Sequence, residues 1–169
     1  MAAGVLLDTS FLITLAGPAR EHHQVARRYW RHFQENDIPI FLSAIVVAEF
    51  YVKQELPPDI LRACVVLPFN WDDALRAAKL DWKRVRPEGI ERDALKDDIK
   101  IIAQAARADA EFVITGDTAS FYRFCQTFKE AGEVGFKALK LDDGFDCAFF
   151  NGGQREFEET PPEEEDAQP

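Results

Sequence analysis

Four acids stand beside apolar segments, where a folded chain can gather them. Asp8 closes Val5-Leu6-Leu7, Asp117 follows Phe112-Val113-Ile114-Thr115, and Glu49 falls in the helical pattern after Ile40-Phe41-Leu42. Asp98 opens the helical pattern that precedes Phe112 and is the most informative of the four. Ile101, Ile102 and Ala105, three, four and seven residues on, share its helical face, so a carboxylate has been set on a buried stripe. An ionised carboxylate costs several kcal/mol to bury unless it is paired or binds a metal. Two carboxylates about 4 Å apart repel by roughly 1 kcal/mol in water and about 4 kcal/mol at an effective dielectric of 20. A group of four therefore holds protons or a cation. The donors are oxygens, with no His or Cys at fitting positions, which points to Mg2+ or Mn2+ rather than zinc. Such a site orients and deprotonates water for displacement at a phosphodiester.

The elements that must position these acids alternate in type. Short apolar runs at 5–7, 40–42, 64–67, 112–115 and about 136–141 read as strands. Between them lie helical patterns. One starts near Phe11 and stops at Gly17-Pro18, and a second runs from Arg20 to Gln34. A third is capped by Ser43 and reaches about Lys53, before Pro57-Pro58. A fourth is opened by Asp72 or Asp73, with Leu75, Ala78 and Trp82 as its apolar row. The last two cover Leu95 to Ala108 and the segment carrying Phe121, Phe124 and Phe128. Strands alternating with helices predict an α/β domain with a mostly parallel five-stranded sheet. Asp8 and Asp117 then share the carboxyl edge of the sheet, where such folds bind ligands.

At 169 residues, 47% hydrophobic and 30% charged, the chain has the composition of one globular domain. Three cysteines without a CxxC spacing exclude a disulfide framework and a zinc ribbon, and predict a reducing compartment, the cytoplasm. The longest uncharged runs, Thr9–Ala19 and Ile38–Ala48, have eleven residues, well short of the roughly 20 of a membrane helix, so no membrane partner is expected. A net charge of −10 argues against nucleic acid at first sight. Residues 154–169, however, carry seven acids and one base, which leaves −4 on the rest. The expected organisation is a domain over 1–150 and an acidic, disordered tail over 151–169.

The segments VLLDTS (5–10), LSAIVVAEF (42–50), DDIKIIAQA (97–105) and FVITGD (112–117) resemble, in order and context, the acidic motifs of PIN domains. The resemblance covers most of residues 4–141. It implies a three-layer α/β/α sandwich, Mg2+ or Mn2+ at the acids, and endonucleolytic cleavage of RNA. Matched motif by motif, it implies Asp8, Glu49, Asp98 and Asp117 as catalytic metal ligands, with Ser10 and Thr115 as supporting hydroxyls. Asp97 beside Asp98 leaves a one-residue ambiguity; a step of one residue turns Asp97 about 100° from the aliphatic face, which favours Asp98. Many members are toxins of VapBC-type toxin–antitoxin pairs. An antitoxin partner and a homodimer are therefore further expectations, although the Phe-rich stretch 145–157 and the acidic tail extend beyond the ordinary toxin core.

Other readings accompany these. Asp8 alone could cap a helix, Glu49 could be solvated, and Asp98 could belong to an ion pair at helical spacing. The bases Arg84, Arg86, Arg92 and Lys96 precede Asp98 and are candidate RNA phosphate contacts. Arg27, Arg28 and Arg31 read as a solvated helix face with RNA contact as the lesser alternative. The main rival function is a non-catalytic RNA-binding or partner-binding module on the same scaffold. A phosphatase with an aspartyl nucleophile ranks below it, because Asp8-Thr9-Ser10 has no second Asp two residues on.

Overall fold

In the computed structural model, Val5-Leu6-Leu7 forms β1 (Val5–Leu7) with all three residues fully buried, which requires cover on both faces of the sheet. The structure describes residues 4–85 and 92–150, without the side chains of 92–94. Around β1 lie β2 (Ile40–Ser43), β3 (Val65–Leu67), β4 (Phe112–Thr115) and β5 (Lys137–Lys140), in the order β3-β2-β1-β4-β5 with every pair parallel. The chain builds outward from β1 to β3, then crosses back to β4 on the other side. The direction of building reverses between β1 and β4, so the crevice at their carboxyl ends is the ligand position of such a sheet.

Among the described residues seven α-helices connect and cover the strands: α1 (Thr9–Ala16), α2 (His23–Glu35), α3 (Ala44–Tyr51), α4 (Pro58–Ala63), α5 (Trp71–Lys79), α6 (Arg92–Arg107) and α7 (Phe121–Glu130). α1 packs on α2 and α3, and α6 packs on α3 and α5. The expected α/β sandwich with a parallel five-stranded sheet is therefore the fold. Its core joins the strands to Phe11, Phe33, Ile101, Ile102 and Phe128, each without exposed surface.

Several elements differ from expectation for identifiable reasons. α2 begins at His23 rather than Arg20, because His22 takes a left-handed conformation, φ 62°, which no helix continues. α4 has no apolar period of its own; Pro58 at its start presets the first turn. α5 is opened by Asn70, whose side chain accepts the amides of Asp72 and Asp73 while Asp73 accepts the amide of Asn70. Asp73 is fully buried and takes the guanidinium of Arg107 from α6. That pair fixes the rotation of α5, so Leu75, expected inside, is 44% exposed.

Buried Gln104 of α6 joins two strand ends. It accepts from the Ser43 hydroxyl and donates to the carbonyls of Leu67 and Pro68, each at 3.1 Å. Ser43 also caps α3 by accepting the Ile45 amide at 3.0 Å. Gln104→Leu keeps the volume but strands these partners, and is expected to cost about 2–3 kcal/mol in chemical denaturation.

The Phe-rich stretch packs back on the domain as far as it is described. Phe145 lies 4.9 Å from Tyr29, and Phe150 lies 5.3 Å from Phe33 and 5.0 Å from Phe112, ring centre to ring centre. Phe157 and the rest of the expected tail lie outside the described residues. Among the described residues no helix is long and apolar enough to cross a membrane. The three cysteines are free, and burial pushes the Cys64 thiol up to about 12.

Candidate active site

β1 and β4 are paired so that Leu7 faces Ile114, and the chain after each strand delivers an acid to the same edge. Asp8 follows β1 directly, and its amide donates to the Ile114 carbonyl at 3.1 Å. It occupies the cap position of α1, yet its side chain makes no capping hydrogen bond. Instead Asp8 Oδ2 accepts the Ser10 hydroxyl at 2.6 Å and the Thr115 hydroxyl at 2.9 Å. Those hydroxyls accept in turn, Ser10 from the Gly116 amide at 2.8 Å and Thr115 from the Asp117 amide at 2.9 Å. Two parallel relays thus run from the β4 end through a hydroxyl to one carboxylate oxygen. Asp8 is 5% exposed, and burial raises its pKa despite these hydrogen bonds.

Glu49 reaches the edge from the last turn of α3, where the Thr9 hydroxyl donates to Oε2. Burial first, then the charges of Asp8 and Asp97, raise its pKa against the Thr9 hydrogen bond. Asp98 sits in the second turn of α6, with Ile101, Ile102 and Ala105 fully buried on its side of the helix. It accepts no hydrogen bond and forms no ion pair among the described residues. Burial, followed by the charges of Asp8, Asp117, Glu49 and Asp97, pushes its carboxyl up to about 8. Asp97 is turned to Lys100, at 2.8 Å.

Asp117 behaves differently. One oxygen accepts the amides of Ala119 and Ser120, and the other accepts the Ser120 hydroxyl and the Phe121 amide. Burial alone would raise its pKa, but these donors outweigh burial and hold it below the usual range. With four donors its lone pairs are occupied, so it contributes mainly negative charge and anchors the start of α7.

The structure thus brings Asp8, Glu49, Asp98 and Asp117 within electrostatic range of one another at the β1–β4 crevice, with Ser10 and Thr115 on Asp8. Among the described residues no three acids converge tightly enough to form a finished metal site. Asp8, Glu49 and Asp117 are each held by a neighbouring hydroxyl. In donor type and charge the group nevertheless suits a hard cation, since Asp98 has free oxygens and its neighbours' repulsion would be relieved by positive charge. Thr9 and Ser120 were missed by the sequence reading. The signal was present, a hydroxyl directly after Asp8 and another three residues after Asp117.

Arg84 is engaged by Asp81 at 3.1 Å and Glu133 at 3.6 Å, away from the acids. Lys96 is exposed on α6, two residues before Asp98. Arg86 and the side chain of Arg92 lie outside the described residues.

Thr115→Val removes one relay and leaves the Asp117 amide without its acceptor. The expected result is a stability loss of about 1–2 kcal/mol in chemical denaturation.

Comparison with known proteins gives the class. The family model for the PIN domain matches residues 5–126, and the chain belongs to the PIN domain family. No curated protein sequence matches it. Among solved structures it is similar to a chain of VapBC2 from Rickettsia felis bound to a promoter DNA fragment, at 14% identity and TM-score 0.54, covering 79% of this chain and 97% of that one. A Mycobacterium tuberculosis VapC toxin described as cleaving the sarcin–ricin loop matches at 18% identity and TM-score 0.50, over 76% of this chain and 95% of its own. A chain of DNA-bound VapBC from Salmonella typhimurium matches at 16% identity and TM-score 0.50, over 82% and 98%. At these identities the likeness is one of fold.

Proposed function

We propose that the chain is a divalent-metal-dependent endoribonuclease, and the toxin of a toxin–antitoxin pair. The observation that carries this is Asp98, a half-buried carboxyl on an aliphatic helix face, lifted to about 8 by burial and by the charges of four neighbouring acids. A purely structural acid would be paired or capped, as Asp73 and Asp117 are. Membership of the PIN family supports nuclease chemistry, and likeness to VapC and VapBC folds supports the toxin assignment.

Asp8, Glu49 and Asp98 would hold Mg2+ or Mn2+, with Asp117 adding charge. When bound, the ion lowers the pKa of water and stabilises charge on the phosphodiester oxygens. Ser10 and Thr115 keep the Asp8 carboxylate oriented through their hydroxyl hydrogen bonds. The Asp98 carboxyl, raised to about 8, would give up its proton on holding the cation, and Glu49, which accepts the Thr9 hydroxyl, would turn from it to join. A small partner presenting a basic side chain to this acidic crevice would silence it, which is the role expected of an antitoxin.

The test is incubation of the purified chain with mixed-sequence single-stranded RNA in Mn2+, Mg2+ or EDTA. Cleavage with either ion and none with EDTA supports the proposal. RNA binding that is equal with and without EDTA, with no cleavage under any metal, would instead make the chain a binding module.

A further inference from the structure

Away from the acids, α2 carries a basic stripe that the proposed reaction leaves unused. His23, Arg27, Arg31 and Gln34 recur at helical spacing, with Trp30 beside them. Together with Leu15 of α1 and Ile60 of α4 they line an open groove of about 460 Å³. Trp30 is half-buried, while Arg27, Arg31 and Gln34 are exposed. Neither arginine has an ion pair or side-chain hydrogen bond among the described residues. In a chain of 30 acids and 20 bases, two adjacent guanidinium groups left without a carboxylate are conspicuous. The one acid of α4, Asp59, is taken by Arg62 at 3.3 Å. His23, which also lines the groove, donates from Nδ1 to the Thr14 carbonyl at 2.9 Å.

The groove is placed within reach of the acids. α1 starts beside Asp8, and seven helical residues separate Asp8 from Leu15, about 10 Å at 1.5 Å each. Arg20 and Lys53 line a second, smaller recess with Ile13 of α1, and the Lys53 charge acts on Glu49. Lys53 lies four residues after Glu49. Basic side chains thus stand on both recesses that border α1, Arg20 and Lys53 on one and Arg27 and Arg31 on the other.

A planar indole flanked by two guanidinium groups, an amide and an imidazole matches one ligand chemistry well. Bases stack on the ring, phosphates meet the guanidinium groups, and Gln34 and His23 can read base edges. We infer that the α2 groove is a single-stranded RNA subsite, which holds substrate a few nucleotides from the acids with Trp30 as stacking platform and Arg27 and Arg31 as phosphate contacts. This rests on the ribonuclease reading and names where its substrate is gripped.

The test measures binding, separately from cleavage, with a fluorescently labelled single-stranded RNA octamer in EDTA over a series of salt concentrations. The double variant Arg27→Gln/Arg31→Gln changes only exposed side chains. Its affinity is expected to fall about tenfold or more, and its salt dependence to flatten by about 1.4 in log K against log salt, the share of two phosphates on a single strand. Trp30→Leu is expected to lower affinity by a similar factor without changing that slope. Unchanged affinity and slope in the double variant overturn the subsite, whether or not the wild type cleaves RNA. So does a wild type that binds no RNA, or a groove whose double variant loses a polyglutamate peptide but not RNA, which would assign it to an acidic protein partner. Loss of RNA affinity in a chain that never cleaves would keep the subsite and refute the ribonuclease.

Discussion

Asp98→Asn should make the metal-free protein more stable at neutral pH, and the gain should vanish in acid. An unfolded Asp titrates near 3.8, whereas Asp98 in the folded chain titrates near 8. Between these values the native state holds a proton that the unfolded chain has lost. The Asp98 contribution is therefore complete below about pH 4 and drains away as pH rises through about 8. Four units correspond to at most on the order of 5 kcal/mol, reduced by the partial exposure of the group. Asn carries no charge at any pH, so thermal melts in EDTA should diverge from wild type as pH climbs from 4 to 8. Mn2+ should narrow the difference, stabilising wild type at pH 7.5 by about 2–3 kcal/mol at a hundredfold excess over Kd and leaving Asp98→Asn unmoved. Coincident melting curves at every pH, with and without metal, would remove Asp98 from any cation site.

The second large effect is structural. Asp73 has no exposed surface, accepts the Asn70 amide at 2.9 Å and binds Arg107 across the α5–α6 interface. Asp73→Ala removes half of a capping box and the anion facing a guanidinium that is 39% exposed. Arg107 can turn partly to water, so the expected loss is about 2–3 kcal/mol rather than the larger penalty of a sealed pair. For a domain of this size that is roughly 5–10 °C in melting temperature. Because α6 carries Asp98, the proposed nuclease activity should decline together with stability, at elevated temperature first. A shift below about 2 °C would mean that α5 is held by other contacts.

Much of the site was legible in the sequence because parallel sheets put strand ends on one edge. Asp8 and Asp117 each follow an apolar run, and Asp98 betrays itself through Ile101, Ile102 and Ala105. What hid was the hydrogen bonding that decides how each acid behaves. Asp117 looks like Asp8 in sequence, yet its carboxylate is consumed by the turn leading into α7, while Asp8 faces two hydroxyls. The rotation of α5 was also hidden. A buried Asp–Arg pair outweighed the Leu75 row, and no periodicity announces which of two faces a helix will bury when the buried one is charged. Likewise Phe145 and Phe150 gave composition but no partner, since the Tyr29 and Phe33 surface they cover lies more than a hundred residues earlier.

The most direct measurement is the rate of single-stranded RNA cleavage in Mn2+ by wild type, Asp8→Asn and Asp98→Asn, with circular dichroism to establish that each is folded. If the acids hold the catalytic cation, both variants fold and lose on the order of a hundredfold or more in rate, and EDTA silences the wild type. Two folded variants cleaving at the wild-type rate would contradict the metal-dependent nuclease outright.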